Sequence, residues 1–323
     1  QAERLARATL RRLGADSGAA RVAAVATEAR GVPFFIQELA RFVATRPAAG
    51  TSTSLEEAIS ARLAGLPEAQ RALMEVSAVA GTPISQGALF EAAGLDAGAL
   101  PALLALQSAS LLQWQGMGAD DLVAPYHDRI REAVHGALDP SATQARHLAI
   151  GRALRTRDNA LFEAARHLSE AEPLLHGAER HRAAELHLRA GAQARAGAAF
   201  PLAARCFEAG LGLLDTGAWS TDYPLALGLH SGAAEAAYLT GDWPTLELRV
   251  AQVKRMARTG MDQLLAREVE IDALVGRHAY ADAVDRGMDA LAHFGVALPS
   301  NPGEAEVGAG FGAALGVLQQ IGP

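Results

Sequence analysis

A chain of 323 residues, half of them hydrophobic and only 5% aromatic, carries enough apolar surface for two or three domains, and its abundance of Ala and Leu, the residues that lose least entropy in a helix, makes all-α the prior. A net charge of −7, with no Lys/Arg run and Lys254 as the only lysine, argues against direct nucleic-acid binding; a single cysteine, Cys206, excludes an internal disulfide. No stretch approaches the roughly 18 consecutive apolar residues of a membrane span, so no membrane association and a cytoplasmic location are expected; the start on Gln1, in mid-helix pattern without a signal peptide, reads as a piece cut from a larger protein.

Residues 1–13 place Leu5, Ala6, Leu10 and Leu13 on one face with arginines between, the pattern of an amphipathic helix ending near Gly14. A second helix is predicted from about Gly18 to Arg30, closed by Gly31 in the left-handed position past a helix end. Pro33 then falls in the first turn of a third helix, where its missing N–H costs nothing, and Phe35, Ile36, Leu39, Phe42 and Val43 form the apolar stripe. Thr45 to Ser54 is a linker by composition.

Ser54 with Glu57 three residues on makes a capping box for a helix carrying Leu55, Ile59 and Leu63. Pro67 starts the next helix, with Leu73, Val76 and Val79 facing inward. Ser85 caps one that stops at Gly94, and Asp96 caps another running through Leu100, Leu103 and Leu104. The period then changes. "LLQWQGMGADDLVAPY" reads as two short strands around a turn from Gly116 to Asp121, nearly the only β signal in the chain, and helices followed by a hairpin make a winged-helix arrangement. Helix resumes in "HDRIREAVHGAL", which Pro140 is expected to end.

From residue 141 onward the pattern is helix pairs. The segments "GAAFPLAARCFEAGLGLL", "GDWPTLELRVAQVKRM" and "RHAYADAVDRGMDAL" overlay, each with an aromatic residue (Phe200, Trp243, Tyr280) and a small or apolar one three further on (Ala203, Leu246, Ala283). The three aromatics are expected to be buried between paired helices. Gly191 and Ala234 fall where the first helix of a tetratricopeptide hairpin needs a small residue, although the spacing is wider than the usual period of about 34 residues and is not constant.

The order of these pieces resembles the signal-transduction ATPases of the STAND class, in particular large bacterial sensor proteins that join such an ATPase to a protein kinase, a histidine kinase, a nucleotide cyclase or a DNA-binding domain. The resemblance is carried by "EARGVPFFIQELARFV", "SLEEAISARLAGLPEAQRALMEVSAVAG", "PYHDRIREAV", "AGAQARAGAAFPLAARCFEAGLGLL" and "HFGVALP", through their order and spacing. It implies a helical lid of an ATPase at residues 1–46, a winged-helix-like domain at 51–138 and an α-solenoid of tetratricopeptide-like helix pairs at 141–323. One departure from the family matters. Lys254 follows Val253, so there is no Gly-Lys-Ser/Thr loop to cradle phosphates and no apolar strand ending in Asp for magnesium. The fragment is therefore expected to have no catalytic residue and no cofactor of its own, ATP or ADP with magnesium belonging to the full-length parent.

Three residues are candidates for nucleotide contact in that parent. By resemblance, Gly31 and Pro33 belong to the Gly-x-Pro motif that packs against adenine; by local reading they are a helix stop and a helix start. His127, within Tyr126-His127-Asp128, resembles the histidine of the Met-His-Asp triplet in nucleotide-binding immune receptors, which reaches the ADP phosphate; by local reading it caps a helix. His176, His181 and His187 have spacings that point to different faces, so no metal site is expected. Cys206 in an Ala-rich helix, and the trio Trp219, Tyr223 and Trp243, read as core. The expected role is a regulatory and protein-interaction segment. It would contact its own upstream nucleotide-binding core and hold a protein or peptide in the solenoid groove. The alternative is a winged-helix transcription regulator that binds DNA itself. Against this, the recognition-helix candidate, Leu100 to Ser108, contains no arginine.

Overall fold

The computed structural model describes residues 1–45, 54–116, 118–157, 159–299 and 301–321. It is mostly helical with one small antiparallel sheet, and the chain divides into two compact units, 1–179 and 180–323. Among the described residues no single helix is long and apolar enough to cross a membrane.

In the first unit, α1 (Ala2–Arg12) packs on α2 (Ala19–Glu28) and α3 (Pro33–Ala44). The buried face of α1 is Ala6, Thr9 and Leu10; Leu13 is exposed because the helix has already ended and Leu13 is its C-cap. Arg30 and Gly31 both have positive φ, 48° and 78°, so the chain leaves α2 through a left-handed turn and enters α3 on Pro33. The buried face of α3 holds Phe35, Ile36, Leu39 and Val43 as expected, but also Glu38, while Phe42 is only half-buried. Glu38 is 6% exposed and forms ion pairs with Arg41, at 3.0 Å, and with Arg62 of α4 (Leu55–Ala64). A carboxylate that deep must be paired, and this pair joins α3 to α4. Most of the expected linker, residues 46–53, lies outside the described residues. Ser54 caps α4 by accepting the Glu57 N–H at 3.4 Å.

The sheet has three strands, one more than the hairpin expected from sequence. After α5 (Glu68–Ala80) comes β1 (Ile84–Ser85), then α6 (Gln86–Ala93), α7 (Leu100–Ser108), β2 (Leu112–Trp114) and β3 (Leu122–Pro125), in the spatial order β1-β3-β2. Ile84 lies opposite Val123 and Leu112 opposite Pro125. A two-residue strand shows no alternation and is overwritten by the helix cap on Ser85, whose Oγ accepts the Ala88 N–H at 3.4 Å. Asp96 caps only a short 3-10 turn, Ala97–Ala99. The apolar face of α7 is consequently Leu103 and Leu106, with Leu104 exposed.

Helix α8 (Asp128–Gly136) stops before Pro140. That proline instead opens α9 (Pro140–Leu154), whose N-cap Asp139 accepts the Ala142 N–H at 2.8 Å. Helix α10 (Leu161–Glu170) packs along α9, which in turn packs on α5 and α6. Arg146 joins α9 to α5 through Glu75 at 2.6 Å.

The second unit contains most of α11 (Gly177–Ala196), then α12 (Phe200–Gly212), the short α13 (Ala218–Thr221), α14 (Tyr223–Thr240), α15 (Trp243–Met256), α16 (Leu264–Gly276), α17 (Tyr280–His293) and α18 (Glu304–Ile321). Its tightest packing surrounds Phe207, which is 1% exposed. A Cβ added at Gly191 would lie 2.5 Å from the Phe207 ring, and one at Gly232 2.6 Å from it, so the ring sits between two glycines on α11 and α14. A second core joins α14, α15 and α16 through Ala234, Leu246, Val250, Val253, Val269 and Ala273. The small residues Gly191 and Ala234 thus sit at buried, close-packed positions. The expected aromatic register does not hold. Phe200 and Trp243 are half-buried and Tyr280 is 57% exposed, whereas Ala203, Leu246 and Ala283 are buried. Each aromatic occupies the first residue of its helix, at the end of the seam that the residue three further on enters; Trp243 packs on the edge of the second core, and Tyr280 is exposed.

Candidate functional site

Two helix starts meet within the first unit. The left-handed turn at Gly31 delivers the chain to Pro33, and the next two residues, Phe34 and Phe35, face the start of α8. The Phe34 ring lies 5.8 Å from Tyr126, tilted, and the Phe35 ring lies 4.7 Å from His127, edge-on. The predicted residues Gly31, Pro33 and His127 therefore belong to one corner, linked by the two phenylalanines that follow the proline.

His127 is half-buried, and it is the N-cap of α8: its Nδ1 accepts the Arg129 N–H at 3.2 Å. A neutral imidazole that accepts at Nδ1 carries its proton on Nε2. The ring thus caps the helix with one nitrogen and offers an N–H with the other. Asp128 is exposed and pairs with Arg131 at 3.5 Å.

Beside this corner Arg129 lines a pocket of about 190 Å³ with Glu28, Ser54, Glu56 and Glu132. Its Nη1 is buried without a hydrogen-bond partner. Glu28 Oε1 accepts the Leu55 N–H at 3.1 Å, which ties the end of α2 to the start of α4. Three carboxylates against one guanidinium disfavour a bare anion in this pocket. Phe34, Glu28 and Arg129 were not singled out from sequence. An arginine in a helix's first turn, against the usual acidic preference there, is the one signal that marks Arg129.

A buried histidine pair occupies another part of the first unit. His147 and His167, on α9 and α10, face each other Nδ1 to Nδ1 at 2.8 Å. Arg166 donates to His167 Nε2 at 2.7 Å and to the Ala80 carbonyl at 2.7 Å. With Nε2 accepting, His167 must carry its proton on Nδ1 and donate it to His147. Burial, then Arg166 and His147, pushes His167 down to about 3, and burial lowers His147 as well. His167 also lines a cavity of about 590 Å³ with Thr82, Asp120, Arg157 and Glu163. The two histidines stand 20 residues apart, a separation without a motif, and only the packing of α9 on α10 joins them.

In the second unit Cys206 is buried and free, and burial pushes its thiol up against a smaller opposing effect of Arg205, the reverse of what a nucleophile needs. The aromatic trio divides. Trp219 stacks on His230 at 5.1 Å and tilts against Tyr223 at 5.8 Å. Tyr223 is a polar joint rather than simple core: its hydroxyl donates to Asp262 at 2.7 Å, accepts the Arg258 N–H at 2.8 Å, and its ring lies 4.1 Å beneath the Arg258 guanidinium. Trp243 instead lies 5.7 Å from the guanidinium of Arg277. Among the described residues no three His, Cys, Asp or Glu side chains gather as metal ligands. No family model, curated protein or solved structure matches the chain.

Proposed function

We propose that the chain is the regulatory and protein-interaction segment of a STAND-class signalling ATPase. In this reading residues 1–46 close the ATPase as its helical lid, 51–138 form a winged-helix-like domain that relays the nucleotide state, and 141–323 form tetratricopeptide-like pairs that engage a partner. The observation that carries it is the corner where Phe34 and Phe35, directly after Pro33, meet Tyr126 and His127, whose Nδ1 caps α8; in this reading its Nε2–H is the donor to a nucleotide phosphate. The order helix, strand, helix, helix, hairpin, with the first strand beside the hairpin's second, supports the winged-helix part. The close-packed Gly191 and Ala234 support the repeat part.

The nucleotide core lies upstream in the parent, so this chain by itself binds ATP weakly or not at all and does not hydrolyse it. Direct DNA binding is the lesser reading, because α7, Leu100–Ser108, offers no arginine or lysine to a phosphate backbone. The test is His127→Ala in the full-length parent, with bound nucleotide and basal output measured. Loss of one charge-assisted bond of about 1–3 kcal/mol predicts roughly tenfold weaker ADP retention and raised basal output. Unchanged retention overturns the sensor assignment, and micromolar ATP binding by the present chain overturns the assignment of the nucleotide site to an upstream core.

A further inference from the structure

In the second unit α15, α16 and α17 enclose a groove of about 770 Å³. Its floor is apolar, with Leu246, Val250 and Ala273 buried and Leu274 and Met288 lining it. Its rim is acidic, with five carboxylates, Glu247, Glu270, Asp282, Asp285 and Asp289, against Arg277 and Arg286. Those two arginines are already engaged: Arg277 with Glu247 at 3.5 Å, Arg286 with Glu270 at 3.7 Å and with Asp289 at 3.7 Å. Lys254 holds Glu270 at 2.9 Å. Asp282 and Asp285 have no ion pair among the described residues, and both are exposed on the first turns of α17.

We propose that this groove docks a short basic amphipathic peptide segment of a partner protein, with an apolar side chain on the Leu246–Val250–Ala273 floor and flanking Arg or Lys residues on Asp282 and Asp285. The inference rests on the partner-binding reading of the helix pairs and names the chemistry of the partner. Charge complementarity selects the occupant. An acidic or neutral segment would leave the two aspartates facing like charge or nothing, while a cationic one gains at both positions and is steered in by the acidic rim. A groove of this size suits a few side chains of one segment rather than a whole domain face.

The test uses the full chain and two fluorescein-labelled probes, an amphipathic leucine–arginine peptide and its leucine–glutamate counterpart, in fluorescence anisotropy titrations at low and physiological salt. The arginine peptide is expected to bind at micromolar concentration and the glutamate peptide not to bind. D282N/D285N should weaken binding about fivefold, and Ala251→Trp, which fills the groove from an exposed position, should weaken it further. The control is E268Q/D272N, which removes the same charge from exposed positions of α16 that do not line the groove. Equal weakening by the control reduces the effect to bulk charge and overturns the proposal. So does equal affinity for both peptides, or no binding of the arginine peptide. These outcomes leave the ATPase reading standing, since that reading is decided by nucleotide retention at His127.

Discussion

The two units solve the same problem, packing Ala-rich helices, by different chemistry. In the first, polar groups far apart in sequence are tied together. Arg146 reaches Glu75 across 71 residues, and Arg166 reaches the Ala80 carbonyl across 86. In the second, helices meet their chain neighbours, and the longest side-chain hydrogen bond among the described residues spans 41 residues, Arg249 to Glu208. Close approach there comes from glycine against ring, as at Gly191, Phe207 and Gly232. A region held by distant polar ties should lose its order together. One held by neighbour contacts should lose it near the lesion.

The largest effect expected is at Phe207. Phe207→Ala empties the space between two glycines that cannot fill it, at a cost of about 3–5 kcal/mol. Peptide-level hydrogen exchange should show lost protection centred on α11, α12 and α14, with α16 and α17 retaining more. Uniform loss across the second unit would show that its packing is not neighbour by neighbour.

Next is the buried pair of the first unit. Arg62→Met leaves Glu38, 6% exposed, with Arg41 as its remaining ion-pair partner, and should cost about 1–3 kcal/mol by urea denaturation. Adding Glu38→Met should restore most of that loss, because the expense lies in a buried carboxylate left with one partner instead of two. If the double variant is no better than the single, the pair itself holds α3 on α4. Exchange in the single variant should rise in both α3 and α4, the two helices that the pair joins.

Acid should weaken both units by way of their neutral histidines. His167 is pushed down to about 3, chiefly by burial and then by Arg166, while burial pushes His187 and His230 to about 4. A histidine held below its unfolded value of 6.5 binds its proton more readily in the unfolded chain, so its stabilisation is full above about pH 7 and lost as the pH falls toward the folded value. Between pH 7 and pH 5 each should account for about 1–2 kcal/mol. His167→Gln should flatten the pH dependence of exchange in α9 and α10, and His230→Gln that in α14. A variant whose pH profile is unchanged would remove that histidine from the account.

What could be read from the sequence was what neighbouring residues decide. Gly31 and Pro33 mark the turn into α3 because φ of 78° and a missing N–H are local demands. Ser54, Ser85 and the hairpin around Gly116 to Asp121 were legible for the same reason. The aromatics of the helix pairs misled because size suggests burial, whereas Phe200, Trp243 and Tyr280 stand at helix starts, where the seam ends. Glu38 was legible in retrospect: it lies three residues from Phe35 on the apolar stripe, a place where a carboxylate requires a partner. Its partner Arg62, and the meeting of His147 with His167, depend on how helices pack, which no local pattern encodes. His127 was singled out by the resemblance of Tyr126-His127-Asp128 to the Met-His-Asp triplet and by its place at a helix start; which ring nitrogen serves the cap is set by packing.

That division of labour within one ring gives the smallest and most discriminating prediction. The Arg129 N–H bond to Nδ1 is one N-cap bond at 3.2 Å on a half-buried residue, so His127→Ala should cost the present chain about 1 kcal/mol or less. Asparagine is among the best N-cap residues, and its side-chain oxygen accepts the same amide. His127→Asn should therefore leave the urea midpoint within about 0.5 kcal/mol of the unsubstituted chain, the loss being limited to the edge contact with Phe35 at 4.7 Å. The same substitution removes the imidazole Nε2–H, which is the only part of the ring the nucleotide reading uses. In the full-length parent His127→Asn should weaken ADP retention nearly as much as His127→Ala does, although only the alanine variant loses the cap. Retention that follows stability, falling in Ala and restored in Asn, would make His127 a helix cap and nothing more.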